Sequence, residues 1–232
     1  MRVLFVIPCY NAEKNLENLG ASLMSQTSDE WDAIIVDDLS EDNTFEIASK
    51  FRKDKFTVVK NSEKKYALKN IVETARSFQD LDDIIIAVVD GDDYLCNDNT
   101  VQLLIDAYGQ GHDVVWTAHV WDINGLNISK PMPNKVDPYA WYWSSSHLRT
   151  FRSDLMGKVS DNNFKDIDGS WFKRGYDQAL MLPLLSVSKS RHFIEEVCYR
   201  YNINSVSMPF RDYEERSQIS TINIVRSRGF LG

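Results

Sequence analysis

Three carboxylates in four residues, Asp90, Asp92 and Asp93, follow directly on the apolar run Ile84–Val89. Like charges this close repel, and each raises the proton affinity of its neighbours. Something positive has to offset that cost. A divalent cation, Mn²⁺ or Mg²⁺, suits a site of one or two carboxylates completed by substrate phosphates. Such an ion acts as a Lewis acid on a departing diphosphate. Gly91, between the acids, lets the backbone turn sharply. An isolated Asp-x-Asp is also what a solvated turn after a strand looks like, so the neighbours decide. Two further polar groups also end apolar runs: Tyr10-Asn11 after Val3–Ile7 and Pro8, and Asp37-Asp38 after 33–36.

These groups need elements that bring them together. Val3–Ile7, 33–36, 57–59, Ile84–Val89 and 113–120 read as strands, the first and fourth apolar throughout. Between them the sequence predicts helices over about 11–26, from about 42, over 66–78 and after Asp98. Asn11 and Asp98 stand as N-caps. The inward residues are Leu16, Leu19, Leu23 and Met24 in the first helix, and Phe45, Ala48 and Phe51 in the second. Strands alternating with amphipathic helices predict right-handed β-α-β units in a parallel sheet. Every strand then ends on one edge, where open α/β sheets bind ligands. Beyond residue 121 the pattern breaks. Pro131, Pro133 and Pro138 fall in 122–140, with a turn at Asn124-Gly125. An amphipathic turn over 148–156, a helix over 176–185 and a strand over 195–201 follow. The last 25 residues read as a helix over the sheet or a tail.

Composition narrows the class. The 232 residues are 43% hydrophobic and 26% charged, with net charge −8. That charge repels a phosphate backbone and disfavours a nucleic-acid acceptor without excluding it. No apolar run approaches the ~20 residues of a membrane span, and the N-terminal apolar stretch is too short for a signal peptide. Cys9, Cys96 and Cys198 are scattered and odd in number, which predicts reduced thiols and a cytoplasmic protein. The four histidines show no metal-ligand spacing.

Six stretches in order resemble family 2 glycosyltransferases. Ile7-Pro8-Cys9-Tyr10-Asn11-Ala12-Glu13 is similar to the family's opening I-P-x-Y-N-x-E, and Ser25-Gln26-Thr27 to its S-x-x-x-Q-T helix end. Val36 to Thr44 resembles V-D-D-x-S-x-D-x-T, and Asp90-Gly91-Asp92-Asp93 resembles D-x-D-D. Tyr176-Asp177-Gln178-Ala179-Leu180 resembles E-D-x-x-L, and Tyr199 to Ser207 resembles Y-R-x-H-x-x-S-x-S.

The resemblance implies an α/β fold of GT-A type: a Rossmann-like, mostly parallel sheet flanked by helices, with a smaller C-terminal acceptor-side region. Residues 1–121 would be the nucleotide-sugar half and 122–232 the acceptor and catalytic-base half of one domain. It implies an inverting transfer of one sugar from a nucleotide-diphosphate sugar. The acceptor would be a hydroxyl on a glycan, a lipid-linked glycan, a protein or another molecule, and a homodimer is left open. Pro8, Tyr10, Asn11 and Glu13 would line the nucleoside pocket, and Asp38 would accept a hydrogen bond from the base. Lys64 or Lys65 would lie near the diphosphate. Asp90 would hold the ribose or orient the metal, Asp92 would ligate it, and Asp93 would support it or touch the sugar. Asp177 would be the catalytic base.

Trp143 and Trp171 are candidates for stacking on a sugar, although such aromatics are more often core. His147 and Arg149 are candidates for acceptor or donor-phosphate contacts. The sequence departs from the family where Asn202 stands in place of its frequent histidine, so Asn202 would offer the metal at most an oxygen. It also has no Q-x-x-R-W, which argues for single-residue transfer over processive synthesis. A receiver-like module would place its acids after the first strand. A nucleotidyltransferase would need a Gly-rich basic loop there, and a binding-only relative would lack a working base.

Overall fold

The computed structural model describes residues 1–202 and 208–232. Ser205, Val206 and Ser207, the end of the last resemblance, lie outside them. Eight strands form one sheet in the order β3-β2-β1-β4-β7-β6-β8-β5. In chain order they are β1 (Arg2–Cys9), β2 (Trp31–Asp37), β3 (Phe56–Lys60), β4 (Ile84–Val88), β5 (Tyr94–Leu95), β6 (Val114–Trp121), β7 (Arg149–Arg152) and β8 (Arg191–Tyr201). The helices are α1 (Leu16–Met24), α2 (Thr44–Ala48), α3 (Tyr66–Arg76), α4 (Thr100–Gly109), α5 (Tyr176–Val187) and α6 (Met208–Arg228).

The apolar strands are buried on both faces, and alternation along them divides the core in two. Phe5, Ile7, Ile85, Ala87 and Val89 join one cluster with Leu16, Leu19, Leu23 and Leu104 of α1 and α4. Leu4, Val6, Ile86 and Val88 join the other, with α3, α5 and Val225 of α6.

β1, β2, β3 and β4 run parallel, as expected. The expectation that every strand ends on one edge fails at β7 and β5. β7 runs antiparallel to both β4 and β6, with Val88 and Trp116 each opposite Arg149. β5 runs antiparallel to β8. The stretch read as an amphipathic turn over 148–156 is therefore a central strand followed by a 3-10 turn, Ser153–Lys158. β7 therefore starts at the edge where β1, β2 and β4 end, and it presents residues 147–149 there.

Two caps are corrected. α1 begins at Leu16, not near residue 11. Asn11 has a left-handed φ of 52° and its side-chain oxygen accepts from the Glu41 amide at 2.9 Å, so it braces a loop. Asp98 accepts from the Ser25 hydroxyl at 2.7 Å, while α4 begins two residues later. Met24, expected inward, is exposed. The C-terminal segment forms the long helix α6 rather than a tail. Arg226 donates to the carbonyls of Tyr139 (2.7 Å) and Trp141 (2.8 Å) and to Gln178 (2.7 Å). Among the described residues no helix is long and apolar enough to cross a membrane.

Candidate active site

The acidic turn is sewn to the end of β1. The Val89 amide donates to Val6 and the Gly91 amide to Pro8, both at 3.2 Å. Gly91 is needed for this close approach more than for the turn. A Cβ there would lie 2.5 Å from the Cys9 sulfur and 3.1 Å from the Pro8 carbonyl oxygen.

Asp90 is held from three directions. Arg149 at the start of β7 donates to its Oδ2 at 2.8 Å, the Tyr176 hydroxyl from the first turn of α5 donates to its Oδ1, and its amide donates to the Tyr199 hydroxyl at 3.1 Å. Tyr199 in turn donates to Asp93 Oδ2 at 2.6 Å, and the Asn202 amide donates to Asp93 Oδ1 at 2.7 Å. The Asn202 side-chain nitrogen donates to the Asp92 carbonyl at 3.3 Å. Asp92 itself is half-buried. One network thus joins β4, β7, β8 and α5, although its members span residues 90–202.

The histidines are not isolated in space. The His147 ring stacks on Tyr199 (4.7 Å between centroids) and on Tyr201 (5.0 Å), and meets His119 edge-on. Asp90, Asp93 and His147 present ligand atoms that all lie within 4.8 Å of one another. Sequence spacing could not reveal this group, because the turn after β4 and the segment leading into β7 meet only through the sheet order.

Burial sets the charges. It pushes the Asp93 carboxyl well above the usual carboxylate range, helped by Asp92 and Asp90 and against the bonds from Asn202 and Tyr199. Burial works against the Arg149 charge, but Asp90 outweighs it and holds the guanidinium proton more tightly than water does. Burial, then Arg149 and His119, drives His147 well below the usual histidine range, so its ring is neutral. Asp177, next to Tyr176 on α5, is raised by burial against the pull of Arg149. A half-buried carboxylate with raised proton affinity suits a general base.

The two loops beside the turn brace one another. The Glu13 carboxylate accepts from the Asn43 amide (3.1 Å) and side chain (2.9 Å), and the Ala12 amide donates to the Thr44 hydroxyl at 2.7 Å. Asp38 accepts from Asn61 and from the Lys65 and Tyr66 amides, each at 2.8 Å. Burial would raise its pKa, but these donors, Lys65 foremost, hold it below the usual range. Lys65 turns its ammonium to Glu73 at 2.9 Å. Lys64 lies 3.8 Å from Asp38 and over the Tyr10 ring. Pro8 is buried at the end of β1 and Tyr10 is exposed beside it.

The glycosyl transferase family 2 profile matches residues 4–163. The chain belongs to this family. No curated protein sequence matches it. Among solved structures, TarS of S. aureus superposes with a TM-score of 0.67 at 19% identity, covering 100% of this chain and 41% of that one. Residues 1–349 of TarS in complex with UDP-GlcNAc give 0.68 at 18%, covering 100% and 68%. The mannosyltransferase PcManGT from Pyrobaculum calidifontis, in complex with GDP-Man and Mn²⁺, gives 0.68 at 15%, covering 100% and 65%. The fold is that of the GT-A glycosyltransferases, and the chain spans less than half the length of the longer TarS chain.

The two tryptophans singled out as candidates for stacking on a sugar are engaged in packing. Trp143 and Trp171 are half-buried and pack against the second core cluster. Trp171 stacks on Phe164 at 6.1 Å, with Lys165 over its face. Tyr176 and Tyr199 entered the sequence reading only as motif letters, yet they supply hydroxyls that hold the acidic turn. A tyrosine beside a candidate base was the available signal.

Proposed function

We propose that this chain is an inverting, metal-dependent glycosyltransferase that moves one sugar from a nucleoside-diphosphate sugar to an acceptor hydroxyl. One observation carries the reading: the hydroxyl of Tyr176 bonds Asp90, so the residue before Asp177 is fastened to the acidic turn. Donor site and base are thereby set against each other on one sheet edge.

Asp177 accepts the proton of the acceptor hydroxyl as its oxygen attacks the anomeric carbon. Attack from the face opposite the departing diphosphate inverts that carbon. Burial raises the proton affinity of Asp177 and Arg149 opposes that rise. Pro8, Tyr10, Asn11 and Glu13 shape the nucleoside pocket. Asp38 orders the loop that carries Lys64, whose ammonium is placed for phosphate or base oxygens. The residues fit a divalent cation: three ligand atoms converge, and the Nδ1 atom of His147 is buried with no hydrogen-bond partner. A cation at the acidic turn supplies Lewis-acid neutralisation of the diphosphate. Complexes of the structural relatives with UDP-GlcNAc, and with GDP-Man and Mn²⁺, support a donor of this class. The unpaired Cys9, Cys96 and Cys198 support a cytoplasmic location.

Asp177→Asn tests the reading. Nucleotide sugars that raise the melting temperature of the wild type should still do so, since a ligand that binds only the folded state stabilises it. Transfer, followed as nucleoside diphosphate release with acceptor present, should fall by about three orders of magnitude or more. Undiminished turnover would remove Asp177 from the role of base.

A further inference from the structure

The acidic turn holds more than carboxylates. His147 is 7% exposed and its ring is fixed by Tyr199 and Tyr201 on its faces and by His119 at its edge. One ring nitrogen lies within 4.8 Å of carboxylate oxygens of both Asp90 and Asp93, and Nδ1 has no hydrogen-bond partner. Asn202, at the position where the family resemblance expects a histidine, spends its amide on Asp93 and its side-chain nitrogen on the Asp92 carbonyl. It works as a brace and brings no imidazole.

We propose that His147 supplies the nitrogen ligand of the cation, with Asp90 and Asp93 supplying oxygens, and that this mixed set selects Mn²⁺ over Mg²⁺. The inference rests on the proposed donor chemistry and deepens it, because it names the ion and moves a ligand from the β8 end to the start of β7. Ligands on opposite sides of an ion, with bonds of about 2.1 Å, stand about 4.2 Å apart. Only one pair of the three can be opposite, and adjacent ligands stand about 3 Å apart, so the side chains draw in by up to about 2 Å to close on one ion. Asp90 and Asp93 remain able to ligate, since each carboxylate oxygen has a second lone pair beyond its present bond. Mg²⁺ demands oxygen ligands and near-ideal octahedral geometry, whereas imidazole favours first-row transition ions.

The test uses Mn²⁺ itself, by pulsed electron paramagnetic resonance on the whole chain grown with ¹⁴N- or ¹⁵N-histidine. The wild type should show a histidine nitrogen coupled to bound Mn²⁺, changing with the isotope. The coupling should vanish in His147→Gln and persist in His119→Gln. Mn²⁺ affinity in His147→Gln should fall about tenfold or more, and Mg²⁺ should displace Mn²⁺ from it far more readily than from the wild type. Mn²⁺ bound without isotope-sensitive coupling, coupling that survives His147→Gln, or no Mn²⁺ binding by the wild type would each overturn the assignment. The isotope comparison needs no variant, so a misfolded His147→Gln leaves the test intact. Melting shifts with UDP and GDP separate the two readings. If a nucleoside diphosphate stabilises the chain while histidine coupling is absent, the donor reading stands and the ligand assignment falls. If neither stabilises it with or without Mn²⁺, the donor reading itself fails.

Discussion

At Gly91 the chain leaves no room for a side chain. A Cβ would meet the Cys9 sulfur at 2.5 Å and the Pro8 carbonyl at 3.1 Å, so Gly91→Ala must push the acidic turn off β1. Overpacking of this kind costs roughly 1–3 kcal/mol, measurable by urea unfolding. Cys9→Ala removes the nearer contact but not the backbone one, so the double variant should recover part of that loss. Full additivity of the two changes would show that the sulfur is not the obstacle. Asp38 makes a different claim, about charge. Its folded pKa lies below its unfolded value of about 3.9. Its contribution is therefore present above about pH 4 and is lost as pH falls through the lower folded value. Asp38→Asn should be less stable than the wild type at pH 7, and the gap should narrow steadily below pH 4 in acid-unfolding curves. A gap independent of pH would mean that the Asn61, Lys65 and Tyr66 donors do not read the charge.

The elements show why some of this was legible in the sequence and some was not. β1, β2 and β4 announce themselves as apolar runs, because burial on both faces leaves no room for polar alternation. The acids that follow them could therefore be assigned to one edge. β7 gives no such signal. Arg-Thr-Phe-Arg reads as an amphipathic turn, yet Arg149 is buried because Asp90 is there to pair with it and β4 and β6 flank it. That pairing depends on sheet order, which local sequence does not encode, and the same blindness hid the approach of His147 to Asp90 and Asp93. The start of α5 shows element-level constraint most sharply. Gly175 has a φ of +62°, and a Cβ there would lie 2.9 Å from the Gln218 carbonyl oxygen of α6. Gly175→Ala should cost roughly 1–2 kcal/mol for the left-handed backbone alone, with more from the contact. Hydrogen exchange should accelerate in α6 and in the first turn of α5, where Asp177 sits. Acceleration confined to residue 175 would show that α6 does not position that turn.

Across the whole molecule, α6 is the element that closes the second core over α5. It contributes the buried Val225 and the Arg226 bonds to Gln178 and to the 139–141 loop. Arg228 donates to the carbonyls of Lys165 (2.8 Å) and Asn162 (3.0 Å), and Leu231 exchanges two backbone bonds with the Asn163 side chain at 2.7 and 2.9 Å. These groups tie the 139–141 and 161–165 segments to α5, so the wall opposite the donor loops is built by the last stretch of chain. A chain ending at Asn202 should lose this wall while keeping the sheet and its first core cluster. The expected result is a lower melting temperature and a rise in binding of an apolar dye, since Leu180, Leu184 and Phe172 would lose their cover. On the proposed roles, nucleotide binding through Pro8, Tyr10 and Asp38 should weaken less than transfer through Asp177. If truncation abolished both equally, the two sides of the site would fold as one unit that α6 completes. If neither changed, the first turn of α5 would be held by Tyr176 and Asp90 alone.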